Sequence, residues 1–327
     1  MRVAQMQQTK GKGKNVFHDP ADTLEVLRDP AAEFTLAMVR SFSDLSPQHL
    51  AQLTEDWPHY PTERRRAIVR HLVEVGESNF TMDFEAVHVL ALADEDKEVR
   101  IAAIEGMWEN TSVSHMQRLL ALVNTDPAAE VRAAAALALG RFVLSGELGE
   151  FPEDRAVQVQ DVLLDILHRD DEHLDVRRRA LEAISNCSRE GVAGWIEDAY
   201  AASAIEMRIS ALFAMGRSCD VRWKPIILEE LQSDEPPILY EAARAAGELE
   251  LREAVPDLAD LLVCQDRELQ EMAVWALGEI GGDAAIALLQ GAAEDAPDEA
   301  FAEAIEDALG MANLQKNIIP FDLFDFE

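Results

Sequence analysis

The chain has 327 residues, of which 48% are hydrophobic and 28% are charged, so its composition is that of a folded protein. Its 62 aspartates and glutamates outnumber its 29 lysines and arginines, which gives a net charge of −33. This balance argues against nucleic-acid binding and against docking on anionic membranes, because both need clustered basic side chains. No apolar run is long enough to span a bilayer.

The first 45 residues differ from the rest of the chain. Residues 1–18 are polar and contain three lysines among glycines, so they predict a flexible basic tail without a secretory signal. Residues 19–45 predict one or two helices that form an N-terminal helical cap on the segment that follows.

A motif of Val-Arg-x-x-Ala followed by Ala-Leu-Gly recurs through residues 46–314. The position of its arginine falls at residues 64, 100, 132, 177, 208, 239, 270 and 302, although the last three repeats lack the arginine itself. The spacing is 31 residues over three consecutive intervals and 45 residues once. The extra residues of the 45-residue interval coincide with residues 145–154. This segment is rich in glycine and acidic residues and predicts an insertion loop.

Each repeat contains two helical patterns. In the seventh repeat, apolar residues recur at helical spacing over Ala254–Val263 and again over Arg267–Ile280. Asp266 lies where an N-cap is needed, and Gly281 lies where the second helix should end. One helical pair cannot bury its apolar stripe alone. The sequence therefore predicts an all-α solenoid of about eight helical pairs, with essentially no sheet.

This pattern resembles HEAT repeats, in the short bacterial form also called phycobilisome-lyase-type HEAT-like repeats. The resemblance covers residues 46–314, and it implies a fold more than a function, because the family includes scaffolds, adaptors and a few enzymes. In the family, the motif arginine pairs with an aspartate of a neighbouring repeat. Here Asp94, Asp126 and Asp171 each lie six residues before such an arginine, so repeats two to four are expected to form this ladder.

No residue set of a catalytic or metal site stands out, so we expect no cofactor and no enzyme activity. His168 and His173 flank a predicted turn, and the His-Glu dipeptides of the di-iron HEAT-like hydroxylases are absent. Cys187 and Cys219 are expected to be small buried thiols near helix ends. With Cys264 they make an odd, sparse set, which favours a reduced, cytoplasmic protein.

Two arginine clusters, Arg64–Arg66 and Arg177–Arg179, are the strongest basic features of the repeats. They resemble phosphate-binding sites, but the rest of the chain around them is strongly acidic. We therefore expect them to form ion pairs within the protein.

A helical wheel of the second helices predicts a binding face. The glycine of the motif is numbered zero. Positions −7, −3 and +1 then lie on the side of the helix opposite its buried apolar residues, and they should be exposed to solvent. In repeats five to seven this face is instead expected to carry apolar and aromatic side chains and one arginine, a composition typical of interface hot spots: Ile209, Phe213, Tyr240, Arg244, Met272 and Trp275. A covering by the chain's own insertion loop or C-terminal tail is the alternative.

The C-terminal third is the acidic pole of the chain. Residues 225–327 hold 25 acidic and 4 basic side chains, a net of −21. The sequence ends in an acidic-aromatic tail, residues 315–327, which is predicted to dock either on this chain or on a partner through its apolar side chains: Ile319, Phe321, Leu323, Phe324 and Phe326.

These patterns favour a non-enzymatic scaffold or adaptor whose concave face binds a protein or peptide, with a basic partner favoured by the charge. The family name implies a different alternative, a tetrapyrrole (bilin) lyase or chromophore chaperone. A visible absorption band on incubation with a bilin would separate the two. The sequence does not indicate an oligomeric state.

Overall fold

The computed structural model describes residues 19–29, 31–79 and 81–317. These ranges contain helices and no strand. The chain divides into two compact units at Asn110 and Thr111. The predicted basic tail, 1–18, and residues 318–327 lie outside the described residues.

The first unit begins with two short helices in the segment predicted as the N-terminal cap, and two helical pairs follow. Asp19 caps the first helix by accepting a hydrogen bond from the backbone N–H of Ala21. The helices are α1 (Pro20–Leu27), α2 (Leu36–Val39), α3 (Pro47–Asp56), α4 (Thr62–Ser78), α5 (Glu85–Ala91) and α6 (Lys97–Glu105).

The second unit consists of six helical pairs. They are α7 (Val113–Thr125) and α8 (Ala129–Glu147), α9 (Glu153–His168) and α10 (Leu174–Ile184), α11 (Val192–Tyr200) and α12 (Ile205–Arg217), α13 (Lys224–Glu230) and α14 (Pro236–Glu248), α15 (Val255–Leu262) and α16 (Arg267–Ile280), α17 (Gly282–Glu294) and α18 (Glu299–Asn317). With the two pairs of the first unit, the described residues form eight pairs, which confirms the predicted solenoid.

Small residues allow the second helices of the second unit to stack closely. Each of α8, α10, α12, α14 and α16 packs on the next second helix along the chain. If the motif glycine carried a Cβ atom, that atom would lie closer than an ordinary van der Waals contact to an alanine of the next second helix. This alanine lies two residues before the motif-glycine position of its own repeat. The distances from this added Cβ to the alanine Cα atoms are 3.0 Å for Gly140–Ala183, 2.9 Å for Gly216–Ala245, 2.9 Å for Gly247–Ala276 and 3.0 Å for Gly278–Ala308.

The predicted helix boundaries of the seventh repeat are confirmed. Asp266 accepts hydrogen bonds from the backbone N–H groups of Glu268 and Leu269, and α16 begins at the next residue, Arg267. Helix α16 ends where predicted, because Gly281 has a φ of 60° that L side chains rarely adopt.

The predicted insertion loop, 145–154, is mostly wrong. Helix α8 continues to Glu147 and α9 begins at Glu153, so the surplus residues lengthen two helices and leave a five-residue turn. Phe151 of that turn is buried, with its ring centroid 5.2 Å from that of Phe142 in α8. The acidic composition indicated exposure, but this aromatic contact anchors the turn.

Ion pairs between arginines and carboxylates of neighbouring repeats are present, although some partners differ from the prediction: Arg132 contacts Glu172 of the next repeat at 2.6 Å. Arg100 and Arg132 each donate at 2.8 Å to the backbone carbonyl of the aspartate six residues earlier, Asp94 and Asp126. The carboxylate of Asp94 pairs instead with Arg65 of the preceding repeat, at 3.0 Å. In the fourth repeat, the motif arginine donates to the carbonyl of Leu167 rather than to Asp171.

Both arginine clusters pair within the protein, as predicted. In the first, Arg66 donates to both carboxylate oxygens of Asp96, at 2.8 and 2.6 Å. In the second, Arg179 contacts Glu182 at 2.5 Å. Carboxylates of the chain therefore neutralise Arg66 and Arg179, and Arg64 and Arg177 donate to backbone carbonyl oxygens.

Candidate partner-binding face

Helices α12, α14 and α16 lie side by side and carry the six residues predicted for partner binding. Each helix contributes two of them: Ile209 and Phe213, Tyr240 and Arg244, Met272 and Trp275. All six are partly accessible, and Trp275 has the largest accessible share at 37%. The structure therefore places the six residues on neighbouring second helices, and their role in partner binding stays a prediction. The six residues are called the aromatic face below.

Arg244 holds the centre of the aromatic face together. Its guanidinium carbon lies 4.1 Å from the ring centroid of Phe213, a cation–π contact between α12 and α14. Its Nε donates to Glu241 and its Nη1 to Glu248, both at 2.6 Å. Because two carboxylates already bind it, Arg244 is not a free cation for a partner. Its cation–π contact fixes the position of the Phe213 ring.

Trp275 lies against the neighbouring repeat. A Cβ atom on Gly247 would lie 2.8 Å from Cζ3 of Trp275, so the indole rests on bare α14 backbone. The remaining indole surface is accessible. The absence of a side chain at Gly247 thus leaves room for the Trp275 indole to pack against the backbone of α14.

Partly buried and exposed carboxylates surround the aromatic face. Burial is the main cause that raises the pKa of Glu241 and of Glu248 above the usual 4.5, even though Arg244 lowers both. Oε2 of Glu248 is buried without a hydrogen-bond partner among the described residues. Burial also raises the pKa of Tyr240, with Glu241, Glu268 and Glu271 adding to the effect. The aromatic face is therefore acidic.

An open cavity of about 240 Å³ continues the aromatic face at the start of α14 and α16. Its lining combines apolar residues with three carboxylates and contains no lysine or arginine among the described residues: Ile209, Pro236, Pro237, Tyr240, Glu241, Asp266, Glu268 and Leu269. A partner side chain with an aliphatic stem and a positive end fits this combination.

Glu182 departs from the helical wheel, which placed it on the exposed arc. It is 4% exposed, because Arg179 and Ser210 cover it. Ser210 donates to Glu182 at 2.6 Å and accepts a hydrogen bond from Arg178 at 3.0 Å. This network links α10 to α12. The arginines at 178 and 179 were the sequence signal for it.

The histidines, cysteines and carboxylates do not assemble into a metal-binding cluster in the described part of the chain. No group of three or more His, Cys, Asp or Glu side chains there is placed to hold a metal ion. All three cysteines are free, and Cys187 is buried as expected. Cys219 is exposed, contrary to the expectation, because it follows the end of α12 with a φ of 53°.

Two further observations concern surfaces. Among the described helices, none is both long and apolar enough to cross a membrane. The five apolar residues of the predicted docking tail lie outside the described residues, so this prediction stays a prediction: Ile319, Phe321, Leu323, Phe324 and Phe326.

Comparison with known proteins supports the fold. A sequence model of HEAT repeats matches residues 84–159 and 224–310. The crystal structure of YibA from Escherichia coli is 16% identical, with 86% of this chain and 97% of that chain covered and a TM-score of 0.47. Human deoxyhypusine hydroxylase in complex with glycerol is 20% identical, with 90% and 96% covered and a TM-score of 0.37.

The Kap95:Nup1 complex is 16% identical, with 89% of this chain but only 46% of that chain covered and a TM-score of 0.48. No curated protein sequence matches the chain. The structural likenesses are too distant to carry an argument about activity or partners. The sequence match and the eight helical pairs agree: the chain is a HEAT-repeat protein.

Proposed function

We propose that the protein is a non-enzymatic scaffold whose aromatic face binds a basic segment of a protein partner. The observation that carries the proposal is an accessible set of aromatic and aliphatic side chains beside partly buried carboxylates, which position Arg244 against Phe213. Interfaces concentrate binding energy in such pre-ordered aromatic residues.

The second helices are the natural position for such a face. They pack on one another along the second unit more extensively than the first helices do. Closer packing of one layer is expected on the inner side of a curved stack. We infer that the aromatic face lines the inner surface of this unit, where an extended segment contacts several repeats at once.

The charge favours a partner with lysine or arginine. Glu241 and Glu248 have raised pKa values because they are desolvated. Arg244 is the cation that both share, and Arg217 lies 3.6 Å from Glu248. A positive side chain from a partner would relieve this excess of negative charge. Its aliphatic stem would cover Tyr240 and Ile209.

The same charge disfavours a bilin as the ligand. A bilin carries propionate carboxylates, which would face Glu241, Glu268 and Glu271 without a free guanidinium beside them. We therefore place the lyase or chaperone alternative second. The three free cysteines fit the proposed cytoplasmic location, because a reducing compartment preserves thiols.

Fluorescence anisotropy with a labelled peptide of alternating lysine and leucine tests the proposal. We expect the wild-type protein to bind this peptide, and to bind it more weakly as salt rises. Trp275→Ala and Phe213→Ala should each weaken binding by about 1–3 kcal/mol while the fold is retained. A peptide of alternating glutamate and leucine should not bind.

Trp195→Ala is the matched control, because Trp195 is a partly accessible tryptophan on α11, a first helix of the same unit. This variant should bind the peptide as the wild type does. Equal losses in Trp195→Ala and Trp275→Ala, or equal binding of both peptides, would contradict the proposal.

A further inference from the structure

A second cavity lies in the first unit, far along the sequence from the aromatic face. Its volume is about 280 Å³, the size of a small organic molecule or a long side chain. It lies among α4, the turn before α5, and the end of α6. Fourteen residues line it, and those that carry the argument are His88, Trp108, and the four carboxylates described below.

His88 forms one wall of this cavity and is 2% exposed. Its ring lies flat on α6 at Gly106, where an added Cβ atom would be 2.2 Å from the imidazole Cε1. Burial lowers the pKa of His88 to about 4, so the ring is neutral at neutral pH. Nδ1 is buried without a hydrogen-bond partner among the described residues.

An unpartnered ring nitrogen inside a protein is costly, because it has lost its hydrogen bonds to water without gaining a protein partner. Native structures rarely retain such a group without a reason. The neutral imidazole offers one nitrogen lone pair as an acceptor. Nδ1 has almost no accessible surface in this structure, so a ligand with an N–H group would satisfy it once the imidazole turns towards the cavity.

The remaining lining is acidic and apolar. Glu77, Asp83, Glu85 and Glu109 are exposed at the cavity, and its lining within the described residues includes no lysine or arginine. Trp108 is 51% exposed and presents a ring that attracts cations. Leu72, Val73, Met82 and Met107 supply the apolar part of the wall.

We propose that this cavity binds an organic cation, an ammonium or guanidinium group on a short apolar stem. The stem packs on the apolar wall, the positive charge lies between the carboxylates and the Trp108 ring, and an N–H group donates to His88. A free amine and an arginine side chain of another protein share this chemistry. The inference concerns a different unit from the aromatic face and stands without it.

Titration calorimetry on the full chain tests the proposal with butylguanidine, a guanidinium on a four-carbon stem. Butylurea, which has a similar shape and no charge, is the ligand control. We expect butylguanidine to bind with a Kd in or below the millimolar range and butylurea to bind at least about tenfold more weakly. A blocked Gly-Arg-Gly peptide in a parallel titration shows whether an arginine side chain is accepted as well as a free guanidinium.

Trp108→Ala and Glu109→Gln change exposed residues, so both variants should fold. Each should weaken butylguanidine binding several-fold, and Trp195→Ala in the second unit should not. His88→Leu should abolish binding. If His88→Leu does not fold, Trp108→Ala and Glu109→Gln still show whether the cavity binds the cation. Binding by neither cation, equal binding of butylurea, or unchanged affinity in both surface variants would overturn the proposal.

Discussion

Buried His88 makes the stability of the protein depend on pH. Its pKa is lowered from 6.5 to about 4 by burial. In the unfolded chain a histidine takes up a proton near pH 6.5, so the unfolded state binds more protons between those two values. The contribution of neutral His88 to the free energy of unfolding is therefore complete above about pH 6.5. It is lost as the pH falls towards 4, and the total loss is about 3 kcal/mol.

The variant His88→Leu should remove this dependence. Urea unfolding midpoints at pH 7 and pH 5 measure it, and we expect the wild-type midpoint to fall more than that of the variant. His59→Leu is the control, because it removes an exposed histidine whose ring contacts only a backbone carbonyl of its own helical segment, and it should leave the wild-type pattern. The same fall in the wild type and in His88→Leu would show that another group is responsible.

Glu182 should contribute to stability despite its charge. The variant Glu182→Ala leaves Ser210, which is fully buried, without its acceptor, and it leaves Arg179 without its ion-pair partner. We expect a loss of about 1–3 kcal/mol in the free energy of unfolding, measured by urea denaturation. A change below about 0.5 kcal/mol would mean that water replaces the carboxylate.

At the scale of the helices, close contact at the motif glycines holds the stack together. Gly247→Ala would place a methyl group 2.8 Å from Trp275 and 2.9 Å from the backbone of Ala276. We expect a destabilisation of about 1–3 kcal/mol in thermal or urea unfolding, although alanine favours a helix more than glycine does.

Gly291→Ala is the matched control for this prediction. Gly291 lies within α17, and an added Cβ atom there meets nothing within 4 Å. The substitution should stabilise the protein by up to about 1 kcal/mol through helix propensity alone. Similar effects of both substitutions would refute the close-packing explanation.

The helices could be predicted from the sequence because their signals are local. The 31-residue period, the Asp266 cap and the Gly281 stop each act within one repeat. The ends of α8 and α9 could not be predicted, because Phe151 is held by a contact with Phe142 that the local composition does not indicate. Likewise, burial of Glu182 depends on Ser210 of the next repeat.

Similar reasoning applies to the two candidate sites. The accessible positions of the aromatic face follow from helical periodicity, and its role in binding stays a prediction. The cavity around His88 draws on α4, α5 and the end of α6. Its signal in the sequence is Trp108, which lies eight residues after Arg100, where most repeats have the motif glycine. Sites made by several elements are not encoded in a single period.

For the whole molecule, the C-terminal tail offers a separate test. We predict that deleting residues 318–327 abolishes one interaction and costs no more than about 1 kcal/mol in stability, because the apolar segment is expected to dock on a partner. Thermal unfolding and light scattering of the truncated chain measure this. Aggregation or unfolding on truncation would show that the tail covers part of its own protein.

Hydrogen exchange of the full chain, with and without the alternating lysine–leucine peptide, tests the central claim most directly. Binding on the aromatic face should slow amide exchange in α12, α14 and α16 and leave α11, α13 and α15 unchanged, because only the former carry the contact residues. Trp275→Ala should abolish this protection. Slower exchange confined to the first helices, or no slowing at peptide concentrations that saturate the anisotropy, would contradict the proposed binding face.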